Sequence, residues 1–374
     1  MKKTFRVGLL ACVMLAALAF AGSALATFAP KLVVSTASGA AGGGPTRIGV
    51  QVGAADDPTA EVQIFVPTGY SIATPAAGTI LGKVTATAAA ADLGNTVLPL
   101  TGDLDAIAPN STTTADAQEC GVTPAQTWDL HLSAAGQTLD IPLFVAAAAA
   151  PVAATGYANE LVVCLPPPDV PAGTPGRAVF GAKLLSATFT ASAITEPTTG
   201  SFRWTSLWTP YTPNTGKPNP AGTVETQSLR DIPGALTLKV TRKKVTKTKI
   251  EKVRGKSKKV KVVSTAVSFA PVATENGKSA TVVTSTTFTV AGKKTTKRTF
   301  TLASKKSATI VATAKIDSDS GSVPTGVTAV ATDLFFHDLG SAGCVATAAF
   351  GGLPCTDATE GGVSVTARAT VKGY

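Results

Sequence analysis

The stretch FTVAGKKTTKRTFTLASKKSATIVATA, residues 288–314, decides the fold class. Phe288 and Val290, Phe300 and Leu302, then Ala308, Ile310, Ala312 and Ala314 recur at every second position. In an extended chain that period puts apolar side chains on one face and hydroxyls on the other. AGKK and SKK separate the runs and read as turns, so the stretch predicts hairpins.

Working outward, the same period returns along most of the chain. Ile48, Val50 and Val52 alternate in RIGVQV, Val62, Ile64 and Val66 in EVQIFV, Leu185, Ala187 and Phe189 in LLSATFT, and Leu236, Leu238 and Val240 in ALTLKV. Beyond the first 26 residues no segment carries a sustained apolar stripe at helical spacing, and Thr, Val, Gly and Pro are poor helix formers. The expectation is an all-β protein of two antiparallel β-sandwich domains, since many short strands joined by Gly- and Pro-rich turns suit sandwiches and no fixed short period suggests a solenoid.

The N-terminus, MKKTFRVGLLACVMLAALAFAGSALA, has the basic start, apolar middle and small-residue end of a secretory signal peptide, residues 1–26. Cys12 falls inside that apolar middle, the wrong place for lipid attachment. The most apolar later segment, IPLFVAAAAAPVAA, is broken by Pro142 and Pro151 and is shorter than the ~20 residues of a helical span. The chain is therefore expected to be secreted, extracellular or associated with the cell surface, without a transmembrane span.

Cys120, Cys164, Cys344 and Cys355 remain after the signal. An even number in an exported chain favours disulfides, and of the three connectivities the sequence-local one, Cys120 with Cys164 and Cys344 with Cys355, is expected. A zinc site would want a C-x-x-C pair or clustered His, and neither occurs.

Charge divides the chain. Residues 27–238 hold 8 basic and 15 acidic side chains, residues 239–307 hold 19 and 2, and residues 308–374 hold 3 and 6. The boundary is placed near residue 235, giving a first domain over 27–235 and a basic second domain over 236–374. Pro-rich loops, LPPPDVPAGTP at 165–175 and TPYTPNTGKPNPAGT at 209–223, belong at sheet edges or ends, where binding sites often lie.

The cations concentrate in KVTRKKVTKTKIEKVRGKSKKVKVV, residues 239–263, with twelve Lys and Arg against Glu251. Arg254-Gly255-Lys256-Ser257 supplies a turn, and Lys259, Val260, Lys261 and Val262 alternate as an edge strand does. The run has neither aromatics nor a helical stripe, which argues against nucleic acid as partner. A lysine-studded hairpin blocks edge-to-edge aggregation and attracts anionic polymers, and both uses stay open. The residues assigned to anionic polymer are Lys243, Lys244, Lys247, Lys249, Lys252, Arg254, Lys256, Lys258, Lys259 and Lys261, helped by Lys293, Lys294, Lys297 and Arg298.

Catalytic and cofactor motifs are absent from the sequence: no G-x-S-x-G elbow, no H-E-x-x-H, and a glycine-rich AGGGPTR that precedes a strand. His131 and His337 stand without a third His, and no enzyme, cofactor or metal site is expected. Asp103, Asp105 and Asn110 in TGDLDAIAPN, and Asp317, Asp319 and Gly321 in KIDSDSGS, place oxygens as calcium loops do but complete no known loop. Trp204 and Trp208, with Arg203 and Tyr211, would share one face of a strand; the rings either stack on a glycan or partner, as a carbohydrate-binding module's would, or fill the core.

FVPTGY, CLPPPDVPAGTPGRA, GAKLLSATFT and RWTSLWTPYTPNTGKPNPAGTVETQ resemble a group of secreted proteins of high-GC bacteria over about residues 30–230. TENGKSATVV, FTVAGKKTTKRTFTL and SATIVATAKI are similar to bacterial immunoglobulin-like modules over about residues 236–374. The first resemblance implies export and a β-rich fold but no activity; the second implies that the basic domain is immunoglobulin-like. The functional expectation is a non-enzymatic structural or adhesive protein of the cell surface, whose partner is anionic envelope polymer or another surface protein.

Overall fold

The structure is a computed structural model and describes residues 28–36, 43–134, 136–198, 200–232, 235–275, 278–281, 286–303, 307–316, 336–361 and 363–374. Residues 1–26, read above as a signal peptide, and the Asp317, Asp319 and Gly321 loop lie outside these residues.

The chain is all-β. In order, the first strands are β1 (Lys31–Thr36), β2 (Pro45–Gln51), β3 (Thr59–Pro67), β4 (Ser71–Ile72), β5 (Ile80–Ala90), β6 (Thr96–Ile107), β7 (Gln126–Ala134), β8 (Gln137–Ala147) and β9 (Tyr157–Cys164). Then follow β10 (Ala182–Thr195), β11 (Gly200–Thr212), β12 (Lys217–Pro218), β13 (Val224–Ile232), β14 (Ala235–Val253), β15 (Lys256–Glu275) and β16 (Lys278–Thr281). The last are β17 (Thr286–Val290), β18 (Lys293–Thr295), β19 (Thr299–Ala303), β20 (Ala308–Ile316), β21 (Phe336–Asp338), β22 (Cys355–Gly361) and β23 (Val363–Val371).

The first unit is not the expected sandwich. It is one sheet in the order β1-β2-β10-β5-β6-β7-β8-β9-β3-β11-β13-β22-β21, of which twelve strands curl into a nearly closed barrel. From β5 to β9 each strand pairs with the next in sequence, so short connections keep the chain in one sheet where a sandwich would cross to a second. Alternating sequence is satisfied by either solution, because both have one apolar face. Here that face is the interior: Val84 and Ala86 of β5, Leu104 of β6, Trp128 and Leu130 of β7, and Leu161 of β9 meet in one core.

The barrel closes without a complete ladder. The β1 backbone N–H of Val34 donates to Ser228 Oγ of β13 (2.9 Å), and Thr359 of β22 donates its hydroxyl to the Leu32 carbonyl. Lys31 pairs with Asp338 and with Asp357, the latter at 3.5 Å. At this seam Gly361 is required by space, since a Cβ there would lie 1.9 Å from the Val34 carbonyl oxygen. Inside, Arg230 Nε donates to Glu196 Oε1 at 2.7 Å with both side chains fully buried, a pair that tolerates loss of neither partner.

The sheet ladder does not follow the order of the chain at its C-terminal side. Residues 336–361, expected in the second domain, return to the large sheet, where β22 runs parallel to β13. The return is held by chemistry that a charge count does not register: Glu225 Oε2 accepts from Thr347 N (3.0 Å), and Gln227 Nε2 donates to the Val345 carbonyl (2.6 Å). The Cys344–Cys355 disulfide closes that loop, and Cys120–Cys164 ties the sole α-helix among the described residues to the end of β9. Both pairings are those expected from the sequence.

That helix, α1 (Ser111–Glu119), was not foreseen. Its signal is Asn110, which caps it by accepting from Thr113 N (3.0 Å) and donating its own N–H to Thr113 Oγ1 (2.9 Å). Asn110 is thus a cap, not a calcium ligand grouped with Asp103 and Asp105.

Two four-stranded sheets, β14-β15-β16 with β19 beside β15, and β18-β17-β20-β23, form the smaller unit. Val267 and Phe269 of β15 pack against Phe288 of β17 and Ile310 of β20, so the two sheets share a core. The stretch at 288–314 is extended as read, but only its first turn makes a hairpin, with Val290 and Lys293 on either side. β19 pairs with β15 and β20 with β17, so the Phe300 and Ile310 runs lie in opposite sheets, and the SKK turn lies outside the described residues.

Candidate functional site

The long hairpin β14–β15 begins inside the smaller unit and leaves it. β19 pairs with β15 only from Ser264 to Ser268, whereas β14 and β15 remain paired out to Val253 and Lys256. Over residues 245–263 the two strands have only each other among the described residues, an arm of roughly 30 Å at the usual rise per residue. Its tip is Arg254 and Gly255, both at positive φ (52° and 78°), as a two-residue hairpin turn of right-handed twist demands.

Lys243, Lys244, Lys247, Lys249, Lys252, Arg254, Lys256, Lys258, Lys259 and Lys261 are all exposed on or at the base of this arm. The register keeps them apart. Lys247 faces Val262, Lys249 faces Val260, Lys259 faces Ile250, Lys261 faces Thr248, Lys252 faces Ser257 and Lys256 faces Val253. Lys258 faces Glu251, the one acid of the run. No cation is directly opposite another, which avoids the repulsion that would open an isolated pair of strands. Because opposite residues share a face, Lys247, Lys249, Lys256 and Lys258 lie on one side and Lys252, Lys259 and Lys261 on the other. The arm is a rod charged all round.

Lys293, Lys294, Lys297 and Arg298 are exposed but do not extend the arm. Arg298 sits beside Phe269, whose N–H donates to its carbonyl (3.0 Å), at the end of β19 remote from the arm's base.

Trp204 and Trp208 do not form a platform. Both are 0% exposed in the barrel core, where Tyr70 meets Trp204 edge-on at 4.9 Å and Trp208 Nε1 donates to Ser206 Oγ at 2.8 Å. β11 lies between β3 and β13, so neither ring has a free face for a sugar. Tyr211 is buried as well, and its hydroxyl donates to the Leu165 carbonyl (2.5 Å), pinning one Pro-rich loop; Asn214 N, from the other, donates to Asp169 Oδ2 (2.6 Å). The two Pro-rich loops are thus held together at one end of the barrel. Arg203 separates from the other three: it donates to Gln227 and to the Gly343 carbonyl (3.3 Å) and lines an open cleft of about 510 Å³ with Phe202, Tyr157 and Thr347.

On the outer wall of the barrel, Asp129, His131 and Asp140 bring donor atoms within 4.8 Å of one another, the arrangement among the described residues that could share a cation. His131 Nδ1 lies 2.5 Å from Asp140, which raises the imidazole's affinity for its proton, and burial with Asp140 and Asp105 nearby pushes Asp129 up to about 6. The sequence hides this group because its members come from neighbouring strands. The His337 side chain lies outside the described residues.

Asp103, Asp105, Asp129, His131 and Asp140 thus make the outer face of β6–β8 polar and acidic, opposite the apolar core. Among the described residues no helix is long and apolar enough to cross a membrane. None of the protein families, characterised proteins or solved structures compared with this chain matches it.

Proposed function

We propose that this chain is an exported, non-enzymatic structural or adhesive protein of a bacterial surface, held to anionic envelope polymer by the β14–β15 arm. The observation that carries the reading is the arm itself: a projecting hairpin with exposed cations on both sides, none opposing another, and one acid. Same-face lysines two apart on a strand are roughly 7 Å from each other, a ladder suited to a flexible chain of repeating phosphates or carboxylates. Attraction of this kind is long-ranged and screened by salt. In this reading residues 1–26 direct export, the disulfides suit an oxidising compartment, and the smaller unit is an immunoglobulin-like carrier that displays the arm.

The test is to mix the purified protein with isolated bacterial cell walls and measure the bound fraction from low to high salt, beside a variant with Lys256, Lys258, Lys259 and Lys261 changed to Gln. The expected result is binding that falls steeply with salt and drops at least tenfold in the variant. Binding that ignores salt, or that the variant retains, sinks the proposal; no binding at all leaves the lysines as protection of an exposed strand edge.

A further inference from the structure

The barrel is incompletely filled. Eight strands enclose an interior that side chains just fill; here a twelve-strand wall is lined on one side by Ala86, Ala88 and Ala182. Three adjoining apolar cavities result, of about 80, 60 and 40 Å³. The first shares Ala86, Leu132 and Ile141 with the inner one, which reaches Phe189. It shares Ala88, Leu100 and Leu139 with the outer one, which ends at Gln137 and Phe180. The shared walls set them in a row from the core to the barrel's end, an apolar column that opens through when the side chains between them shift.

The segment after β9 lies across that end and is fastened there. Arg177 grips both Asp92 oxygens (2.7 and 2.8 Å) while its Nε donates to the Val170 carbonyl (2.7 Å). Phe180, at the outer cavity, holds φ at 55°, a left-handed conformation uncommon for a bulky residue, and the residue is 37% exposed. Strain of this sort collects where a ligand is clamped.

Two polar side chains line the first cavity: Thr59, whose buried hydroxyl has no hydrogen-bond partner, and Lys183. Lys183 donates to the carbonyls of Ala54 (2.9 Å) and Asp56, and an ammonium has three N–H groups, so a third donor remains after these two. Asp56, Asp57 and Asp169 act on the Lys183 charge from nearby and outnumber it, which disfavours an anionic guest beside that ammonium.

We propose that this column binds one neutral, slender apolar molecule, an alkyl chain whose terminal oxygen accepts a hydrogen bond from Lys183. An apolar cavity of about 150 Å³ stays dry and admits apolar guests, a size that the three reach only when taken together. The site is separate from the arm and stands or falls without it.

1-Octanol is the probe and octanoate its charged counterpart, titrated into the purified protein by calorimetry, with transfer between octanol methylenes and the Ala86 and Ala88 methyl groups followed by NMR. Saturable one-site octanol binding is expected, with octanoate at least tenfold weaker and hexanol weaker by roughly fourfold per methylene removed. Ala88→Leu, which narrows the column, should reduce octanol affinity at least tenfold. If that variant misfolds, the methyl contacts in the unaltered protein decide. The proposal is overturned if octanol does not saturate, if octanoate binds equally well, if a folded Ala88→Leu binds as the parent does, or if the methyl contacts fall on the arm's valines.

Discussion

At the scale of single residues, chemistry is decided by what surrounds a side chain, and Asp357 gives a measurable case. Burial, with Asp338 beside it, pushes its carboxyl up to about 6, while Lys31 pulls the other way. Asp338, hydrogen-bonded to Lys31 and to the Gly340 N–H, is held below the ordinary range. An unfolded aspartate titrates near 3.9. Between about pH 4 and 6 the folded chain therefore keeps a proton that the unfolded chain releases, and stability falls as pH rises through that window. Asp357→Asn removes this cost. The variant should exceed the parent by about 2 kcal/mol at pH 7.5 and match it below pH 4, read as the difference between urea unfolding curves; a difference that does not change with pH would clear Asp357 of the role. Sequence could not supply this, because Lys31, Asp338 and Asp357 are hundreds of positions apart or on separate strands. Trp204 and Trp208 show the same limit: four-residue spacing puts both rings on one face, and only the neighbours β3 and β13 make that face internal.

Strands themselves were legible, their arrangement less so. Alternation in RIGVQV and EVQIFV marks β2 and β3 correctly, and each Cys pairs with its neighbour in sequence, as the even count suggested. Whether such strands split into two sheets or curl into one depends on pairings such as β2 with β10 and β3 with β11, which join distant parts of the chain and leave no local mark. Closure depends on the seam between β1 and β22, and Gly361 is its narrowest point. Gly361→Ala puts a methyl group against the Val34 carbonyl and forces β1 outward, loosening the bonds to Ser228 and Thr359. A loss of roughly 2–3 kcal/mol is expected, in the range of overpacked cores, with new protease cleavage near residues 28–36. Unchanged stability and unchanged cleavage would mean that the seam does not bear on closure.

For the whole molecule the question is whether the charge serves the fold or the fold serves the charge. The barrel domain's sequence is acidic and the hairpin run strongly basic, so the molecule is electrically two-ended along its chain. The arm beyond Ser264 contributes nothing to the shared core of the smaller unit, whose members stop at Val240 and Val267. An isolated pair of strands is marginal in water, yet here its cations are spaced out by Val, Ile, Thr and Ser at added sequence length and no gain in buried core. Replacing residues 247–262 by Asn-Gly brings Thr246 and Val263, already partners, to either side of a two-residue turn. The shortened protein should unfold within about 2 °C of the parent, since surface changes away from the core rarely exceed 0.5 kcal/mol. Its binding to cell walls should vanish while octanol uptake by the barrel is unchanged. A fall of much more than that in the melting temperature would make the arm a structural part of the sheet it grows from, and its lysines a consequence of holding an exposed edge apart from its copies.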